Sequence, residues 1–263
     1  MIDYHIHTTR CGHAEGEMSE YVRQALQLSF LEIGFADHLP LLTKRDPSLT
    51  MSEEQLGEYI QAIEWLKEQF PSINIRAGIE ADYFPGLEKE TASLLSSYDF
   101  DYVIGSVHFI DGWGFDDSRY IEGYKSWNIY DLYAKYFELV ASAASTGLFD
   151  VVGHLDLIKK YNFRPEEDIT PLVKKTLKAI KDAGVCIEIN TAGLRKPVGE
   201  IYPSIEILRL CYKEGVPITL GSDAHSPEHV GMDFDLAIIG AKQAGYSEIA
   251  MFKQRQRNFI KLR

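Results

Sequence analysis

The chain has 263 residues, 45% hydrophobic and 25% charged, with a formal net charge of -12, the balance of a globular protein long enough to bury a sizeable core. Its 39 acidic residues against 27 basic ones argue against a nucleic-acid face, which needs a basic stripe, and no apolar run reaches the length of a membrane span. Cys11, Cys186 and Cys211 stand at unrelated spacings that suit neither a disulfide framework nor a Cys-rich zinc motif; with no signal-peptide pattern near Met1, they point to a reducing cytoplasm.

Short β-branched runs alternate with amphipathic ones from end to end. Residues 2–7 read as a strand, and 19–29 as a helix in which Tyr21, Val22, Ala25, Leu26 and Leu28 recur at helical spacing behind Ser19 as N-cap. A strand at 32–36 leads into a long loop over 39–50 with Pro40, Lys44, Asp46 and Pro47, the kind of segment that often carries function. Helix 52–70 puts Leu56, Tyr59, Ile60, Ile63 and Leu66 on one face. Strands at 74–80 and 102–108 precede helix 131–145, whose Leu132, Tyr136, Leu139 and Val140 form a further apolar face. Strands at 151–154, 185–190 and 218–222 then alternate with helices 171–183 and 203–214, where Pro171 and Pro203 sit in first turns that tolerate proline. No repeat or flexible linker marks a boundary. Seven strands alternating with helices predict an α/β fold, a parallel sheet closed into a βα barrel, with an open doubly wound sheet as the alternative.

The eight histidines are not scattered over this pattern. His5 and His7 share one face of the first strand, because side chains two apart on a strand point the same way. Asp37 and His38 close the second strand, Glu80 the third, His108 the fourth and His154 the fifth; Asp223 and His225 follow the seventh, and His13 comes just after the first. In a parallel barrel these ends open on one rim, so residues far apart in sequence converge. A lone histidine is usually a core or surface residue, but six of the eight at strand ends predict a metal site. Imidazole and carboxylate without thiolate suit Zn²⁺, Mn²⁺ or Fe²⁺. A set of about nine such ligands among these residues exceeds the four that one zinc takes, so two or three divalent ions are expected, with a carboxylate such as Glu80 as a bridge. Such cations would draw an anionic small molecule to an acidic protein.

The motifs HIHTTRCGHA at 5–14, ADH at 36–38, GIEAD at 78–82, GSVH at 105–108, GHLD at 153–156, NTAGLRKP at 190–197 and GSDAH at 221–225 together resemble the PHP (polymerase and histidinol phosphatase) family, most closely its histidinol-phosphatase branch. The resemblance covers nearly the whole chain and implies a single PHP-type metallophosphoesterase domain over 1–263, built as a distorted (β/α)7 barrel. It implies a trinuclear centre hydrolysing L-histidinol phosphate to L-histidinol and phosphate in histidine biosynthesis. One ion would belong to His5, His7, Glu80 and Asp223, a second to Glu80, His108 and His154, and a third to His13, His38 and His225. The nearest rival is a PHP phosphoesterase acting on another small phosphomonoester, a nucleotide or sugar phosphate. An amidohydrolase on a related barrel or a noncatalytic polymerase module fits the full ligand set less well. No oligomeric state follows from the sequence.

For the chemistry itself, Arg195 is the first choice as a phosphate clamp, because a guanidinium bonds two oxygens at once. Asp223 or a metal-bound water is a candidate to protonate the leaving alkoxide, and the sequence does not choose between them. Lys159, Lys160 and Arg10 are weaker phosphate candidates, expected to be solvated. Asp37 is either an orienting partner of the His38 imidazole or an ordinary loop acid. His229 is expected in a solvated turn and Cys11 as a packed or exposed thiol rather than a ligand. Glu188 and Asn190 are read either as contacts to the organic half of a substrate or as structural residues.

Overall fold

A computed structural model describes residues 1–262. Strands β1 (Ile2–Ile6), β2 (Glu32–Phe35), β3 (Asn74–Asp82) and β4 (Tyr102–Ser106) are followed by a small hairpin of β5 (Phe109–Ile110) and β6 (Trp113–Gly114). The chain continues through β7 (Val151–Val152), β8 (Cys186–Asn190) and β9 (Ile218–Gly221) to a second hairpin, β10 (Glu248–Lys253) and β11 (Gln256–Lys261). The helices are α1 (Met18–Gln27), α2 (Glu53–Gln69), α3 (Glu88–Leu95), α4 (Ile129–Ser145), α5 (Thr170–Ala183), α6 (Ile205–Glu214) and α7 (Phe234–Ala244).

The main sheet has seven strands in the order β1-β2-β3-β4-β7-β8-β9, and every pairing within it is parallel. Just beyond β9, Ala224 donates its amide to the His5 carbonyl at 3.1 Å and accepts the His7 amide at 2.9 Å, which ties the last strand to the first. The sheet is therefore a distorted (β/α)7 barrel and not an open doubly wound sheet. The distortion has local causes: β1 slips register against β2 between Asp3 and Ile6, and β7 is only two residues long.

The barrel interior is plugged below the site by Tyr102. Its ring fills the space that a Cβ would need at Gly34 and Gly78, 2.1 and 2.2 Å from where those atoms would stand, so these two strands can pass the ring only without side chains. The Tyr102 hydroxyl donates to the Tyr4 carbonyl at 2.6 Å, and Tyr4 and Phe252 pack against the ring. Phe252 comes from the β10–β11 hairpin. The turn of this hairpin donates to Asp101 and reaches Asp150 and Leu148, residues just before β4 and β7. The hairpin thus covers the N-terminal end of the barrel, opposite the strand ends that carry the histidines.

The apolar faces predicted for α2 and α4 are buried as expected: Leu56, Tyr59, Ile63 and Leu66 on one, Leu132, Tyr136, Leu139 and Val140 on the other. Three local expectations are corrected. Ser19 is not the N-cap of α1, which begins at Met18; the first-turn acceptor is the Glu20 carboxylate, which takes the Glu17 amide at 2.7 Å. Leu28 lies past the end of that helix and is 47% exposed. Pro203 precedes α6, which starts at Ile205, where the Ser204 side chain accepts the Ile207 amide. Residues 39–50 do run without helix or strand. Among the described residues no helix is long and apolar enough to cross a membrane.

Candidate metal centre

At the C-terminal mouth of the barrel the strand ends gather around one buried carboxylate. Glu80, on β3, directs Oε2 towards His5 Nε2 (3.3 Å), His7 Nε2 (3.6 Å) and His38 Nδ1 (3.0 Å). Its other oxygen, Oε1, faces His154 Nε2 (3.0 Å) and His108 Nε2 (3.6 Å) and accepts from Ser106 Oγ at 2.6 Å. One carboxylate thus serves two separate imidazole groups. Asp223 adds a second anion, with Oδ1 3.3 Å from both His7 Nε2 and His225 Nδ1. At the open edge His225 Nε2 and His13 Nε2 face each other at 3.1 Å. All nine predicted ligands are therefore brought into one cluster.

The electrostatics are those of interleaved charges. Burial opposes ionisation of Glu80, but the His5, His38 and His108 rings outweigh it and hold its carboxyl well below the usual carboxylate range. Asp223 is likewise depressed against burial, by His5 and His7. Burial also disfavours charge on His108, yet Asp82 and Glu80 push it up to about 10. His38 and His225 go the other way, driven well below the ordinary imidazole value by burial and by the neighbouring His7 ring. A proton on one ring denies a proton to the next, as expected of densely packed donors.

Whether the donor set suits a cation can be tested on nitrogens alone. His13 Nδ1 lies 2.9 Å from the Cys11 carbonyl and 3.1 Å from the Ser48 carbonyl, so Nδ1 carries the proton. His225 Nδ1 lies 3.1 Å from the Asp223 carbonyl, which protonates that ring in the same sense. Two Nε2 lone pairs then point at each other, an arrangement that a shared cation relieves. Deeper in, His5 Nε2, His7 Nδ1 and His154 Nδ1 are buried without a hydrogen-bond partner among the described residues. Ligand atoms of His5, His7 and Glu80, and of His7, His38 and His225, each lie within 4.8 Å of one another. The residues fit divalent ions.

Around the ligands sits a set of orienting carboxylates. Glu188 on β8 accepts from His5 Nδ1 at 2.7 Å and, through its other oxygen, from the His154 amide and Asn190 Nδ2, both at 3.0 Å. Gly221 makes this possible, since a Cβ there would stand 1.9 Å from Glu188 Oε1. Glu188 and Asn190 therefore position ligands, the structural of the two readings. Asp82 lies 2.9 Å from His108 Nδ1. Asp37 is fully buried and accepts from the Thr8 amide and hydroxyl; it faces His7 Nδ1 at 3.5 Å and meets His38 only at its backbone amide, at 2.8 Å, so the imidazole it attends is not the one beside it in sequence. Such partners set the tautomer and basicity of a metal-binding ring. Asp82→Asn is expected to lower metal affinity by roughly 10–100-fold while leaving the fold intact; a titration with Zn²⁺ under competing chelator checks it, and unchanged affinity removes Asp82 from this role.

The cluster floors a cavity of about 1030 Å³. Its walls include Arg195, Lys160, Lys196, Asp116 and Tyr202, and Leu41, Ser48, Leu49 and Thr50 of the long loop. Arg195 Nη2 donates to the Ser222 carbonyl at 2.6 Å, and its Nη1 is buried with no partner among the described residues. Lys160 pairs with Asp116 at 3.1 Å. Lys159, expected in solvent, is instead buried against Asp156, Glu200 and the Ile201 carbonyl. Arg10 donates towards Met18 Sδ. His229 stands on a turn, as expected, and its half-buried side chain also lines the cavity. Cys11 is a free, buried thiol. Burial raises it, but His13 and His7 pull it down to about 7, whereas Cys186 and Cys211 are pushed up by burial among apolar groups.

Two functional neighbours were missed from sequence. Asp82 stands two residues after Glu80 on β3, so the two-residue period of a strand could have found it. Asp116 lies in an irregular segment after β6, where no periodicity marks an inward side chain.

Comparison with known proteins gives one consistent picture. Residues 3–192 match the PHP domain family model. A Deinococcus radiodurans protein named "Probable histidinol-phosphatase" is 40% identical over 93% of this chain and 94% of its own. The histidinol-phosphatase of Bacillus subtilis is 32% identical over 89% of this chain and 96% of its own. Among solved structures, the histidinol phosphate phosphatase of Lactococcus lactis, complexed with zinc, L-histidinol and phosphate, superposes with a TM-score of 0.85 at 24% identity, covering 98% of each chain.

Proposed function

The chain belongs to the PHP domain family, and from that premise we infer that it is a histidinol-phosphatase, hydrolysing L-histidinol phosphate to L-histidinol and phosphate in histidine biosynthesis. Its full-length likeness to histidinol-phosphatases supports the substrate. The observation that carries the chemistry is Glu80, whose two oxygens each serve a different group of imidazoles. We assign one ion to His5, His7, Glu80 and Asp223, a second to Glu80, His108 and His154, and a third to His13, His38 and His225. The donor set suits zinc, manganese or iron. Bound there, divalent ions supply Lewis acidity to phosphate oxygens and to water.

The remaining work falls to the protein. Glu188, Asp82 and Asp37 hold the His5, His108 and His7 rings in place. Arg195 lines the cavity with Nη2 anchored on the Ser222 carbonyl, which holds its guanidinium charge beside the phosphate. Lys160 and Lys196 add positive charge to the same wall. Asp223, held ionised beside His5 and His7, would take a proton from the attacking water and pass it to the leaving alkoxide of histidinol. The whole of 1–263 acts as one domain in this reading.

The test is phosphate release from histidinol phosphate, a nucleoside monophosphate and a sugar phosphate under identical metal loading. Histidinol phosphate should be preferred by a wide margin in kcat/KM; equal or better turnover of another phosphomonoester would transfer the assignment to that substrate. In the same assay Arg195→Ala and Asp223→Asn should each lose about a hundredfold or more, the scale of removing one preorganised group from a charged transition state. Near wild-type turnover in both would remove these two roles.

A further inference from the structure

We infer that the Cys11 thiolate is a ligand of the ion held by His13 and His225, so that the outermost site of the centre has mixed nitrogen and sulfur donors. The inference deepens the reading above and rests on it. Cys11 Sγ, a His13 nitrogen and a His225 nitrogen lie within 4.8 Å of one another, and Sγ also groups in the same way with His7 and Asp37. Cys11 follows the buried end of β1 on a short 3₁₀ turn, Thr9–Cys11, which brings the sulfur within reach of the His13 and His225 nitrogens. Its side chain is fully buried, and so is His7, whose Nδ1 is unpartnered.

The case turns on how many donors this edge of the cluster can muster. His13 and His225 offer two facing Nε2 atoms. His38, the third imidazole of the assigned trio, turns its Nδ1 to Glu80 Oε2 at 3.0 Å, and its ring lies 5.7 Å from that of His13, farther than the 4.8 Å between His13 and His225. No carboxylate approaches His13 Nε2 among the described contacts, whereas both inner groups have Glu80. Asp223 meets His225 at Nδ1 and not at the Nε2 that faces His13, so the anionic ligand on that side is the Cys11 thiolate. A thiolate with imidazoles is an ordinary donor set for Zn²⁺ or Co²⁺. The thiol proton leaves to solvent as the sulfur–metal bond forms, so charge and atoms balance. Cys186 and Cys211, each buried elsewhere in the core, have no part in this.

Metal-stripped full-length protein reloaded with Co²⁺ under anaerobic conditions tests the inference by absorption. Visible ligand-field bands report that the centre binds metal at all, and a near-ultraviolet sulfur-to-cobalt charge-transfer band reports a thiolate ligand. Wild type should show both, Cys11→Ser should keep the visible bands and lose the near-ultraviolet one, and Cys186→Ala should keep both. Visible bands without the charge-transfer band in wild type, or a band that persists in Cys11→Ser, overturns the sulfur ligand and leaves the metal centre standing. Absence of visible bands in wild type overturns the centre and the ligand together. Should Cys11→Ser fail to fold, the wild-type spectrum beside that of Cys186→Ala decides the question alone.

Discussion

Glu80→Gln is expected to reduce hydrolysis of histidinol phosphate by at least about a thousandfold in kcat/KM, roughly 4 kcal/mol of transition-state stabilisation. The substitution is nearly isosteric, so the barrel should fold as before. What it removes is the carboxylate whose two oxygens face the His5, His7 and His38 rings on one side and His108 and His154 on the other. An amide has one oxygen to offer where a carboxylate has two, so at most one of the imidazole groups keeps its partner. The amide nitrogen would also point N–H groups at nitrogens that need acceptors or a cation. Removing one charge from a buried network costs more than the pairwise contact, because the partners stay buried without it. Steady-state kinetics with metal content measured on the same sample checks the expectation. Turnover within tenfold of wild type at full metal content would remove Glu80 from the centre of the mechanism.

Metal removal is the second large effect. Dialysis against a strong chelator should bring phosphate release to background, and Zn²⁺, Mn²⁺ or Fe²⁺ should restore it. Stability should move as well. Ions that bind only the folded chain add about 4 kcal/mol when present at a thousand times their dissociation constant, which for a domain of this size is roughly 10 °C in Tm. The stripped cluster retains buried imidazole nitrogens with no hydrogen bond among the described residues, at His5, His7 and His154, and depends for compensation on protons shared among crowded rings. Differential scanning calorimetry of stripped and reloaded protein measures the difference. A stripped protein that keeps both its activity and its Tm would mean that the cluster is an ordinary polar core.

Much of this centre was legible because a parallel barrel turns strand ends into a rim. His5 and His7 could be placed on one face by the period of a strand, and Glu80, His108 and His154 by their position at the close of β-branched runs. The same logic reached Asp223 and His225, which follow β9. It stops where the chain leaves regular structure. Asp116 comes after a two-residue strand, and His229 sits on a short 3₁₀ turn, Pro227–His229, so neither had a period to betray which way it points. Asp37 shows a different limit: adjacency in sequence suggested His38 as its partner, but the strand-to-loop transition sends the His38 ring to Glu80 and leaves the carboxylate facing His7. Lys159 was misread because a lysine can be buried when two acids and a carbonyl meet its ammonium, and two of these, Glu200 and Ile201, lie far along the chain. The C-terminal hairpin and the Tyr102 plug belong to the same class, since Gly34 and Gly78 are explained only by a ring that arrives from another strand.

The most direct test of the account is anomalous diffraction at the zinc edge from crystals of the zinc-loaded protein. Peaks should flank Glu80 on both sides, each about 2.0–2.2 Å from a carboxylate oxygen and from imidazole nitrogens, with a further peak between His13 and His225. Crystals of active protein with no anomalous peak within bonding distance of Glu80, or with zinc bound only elsewhere on the surface, would contradict it.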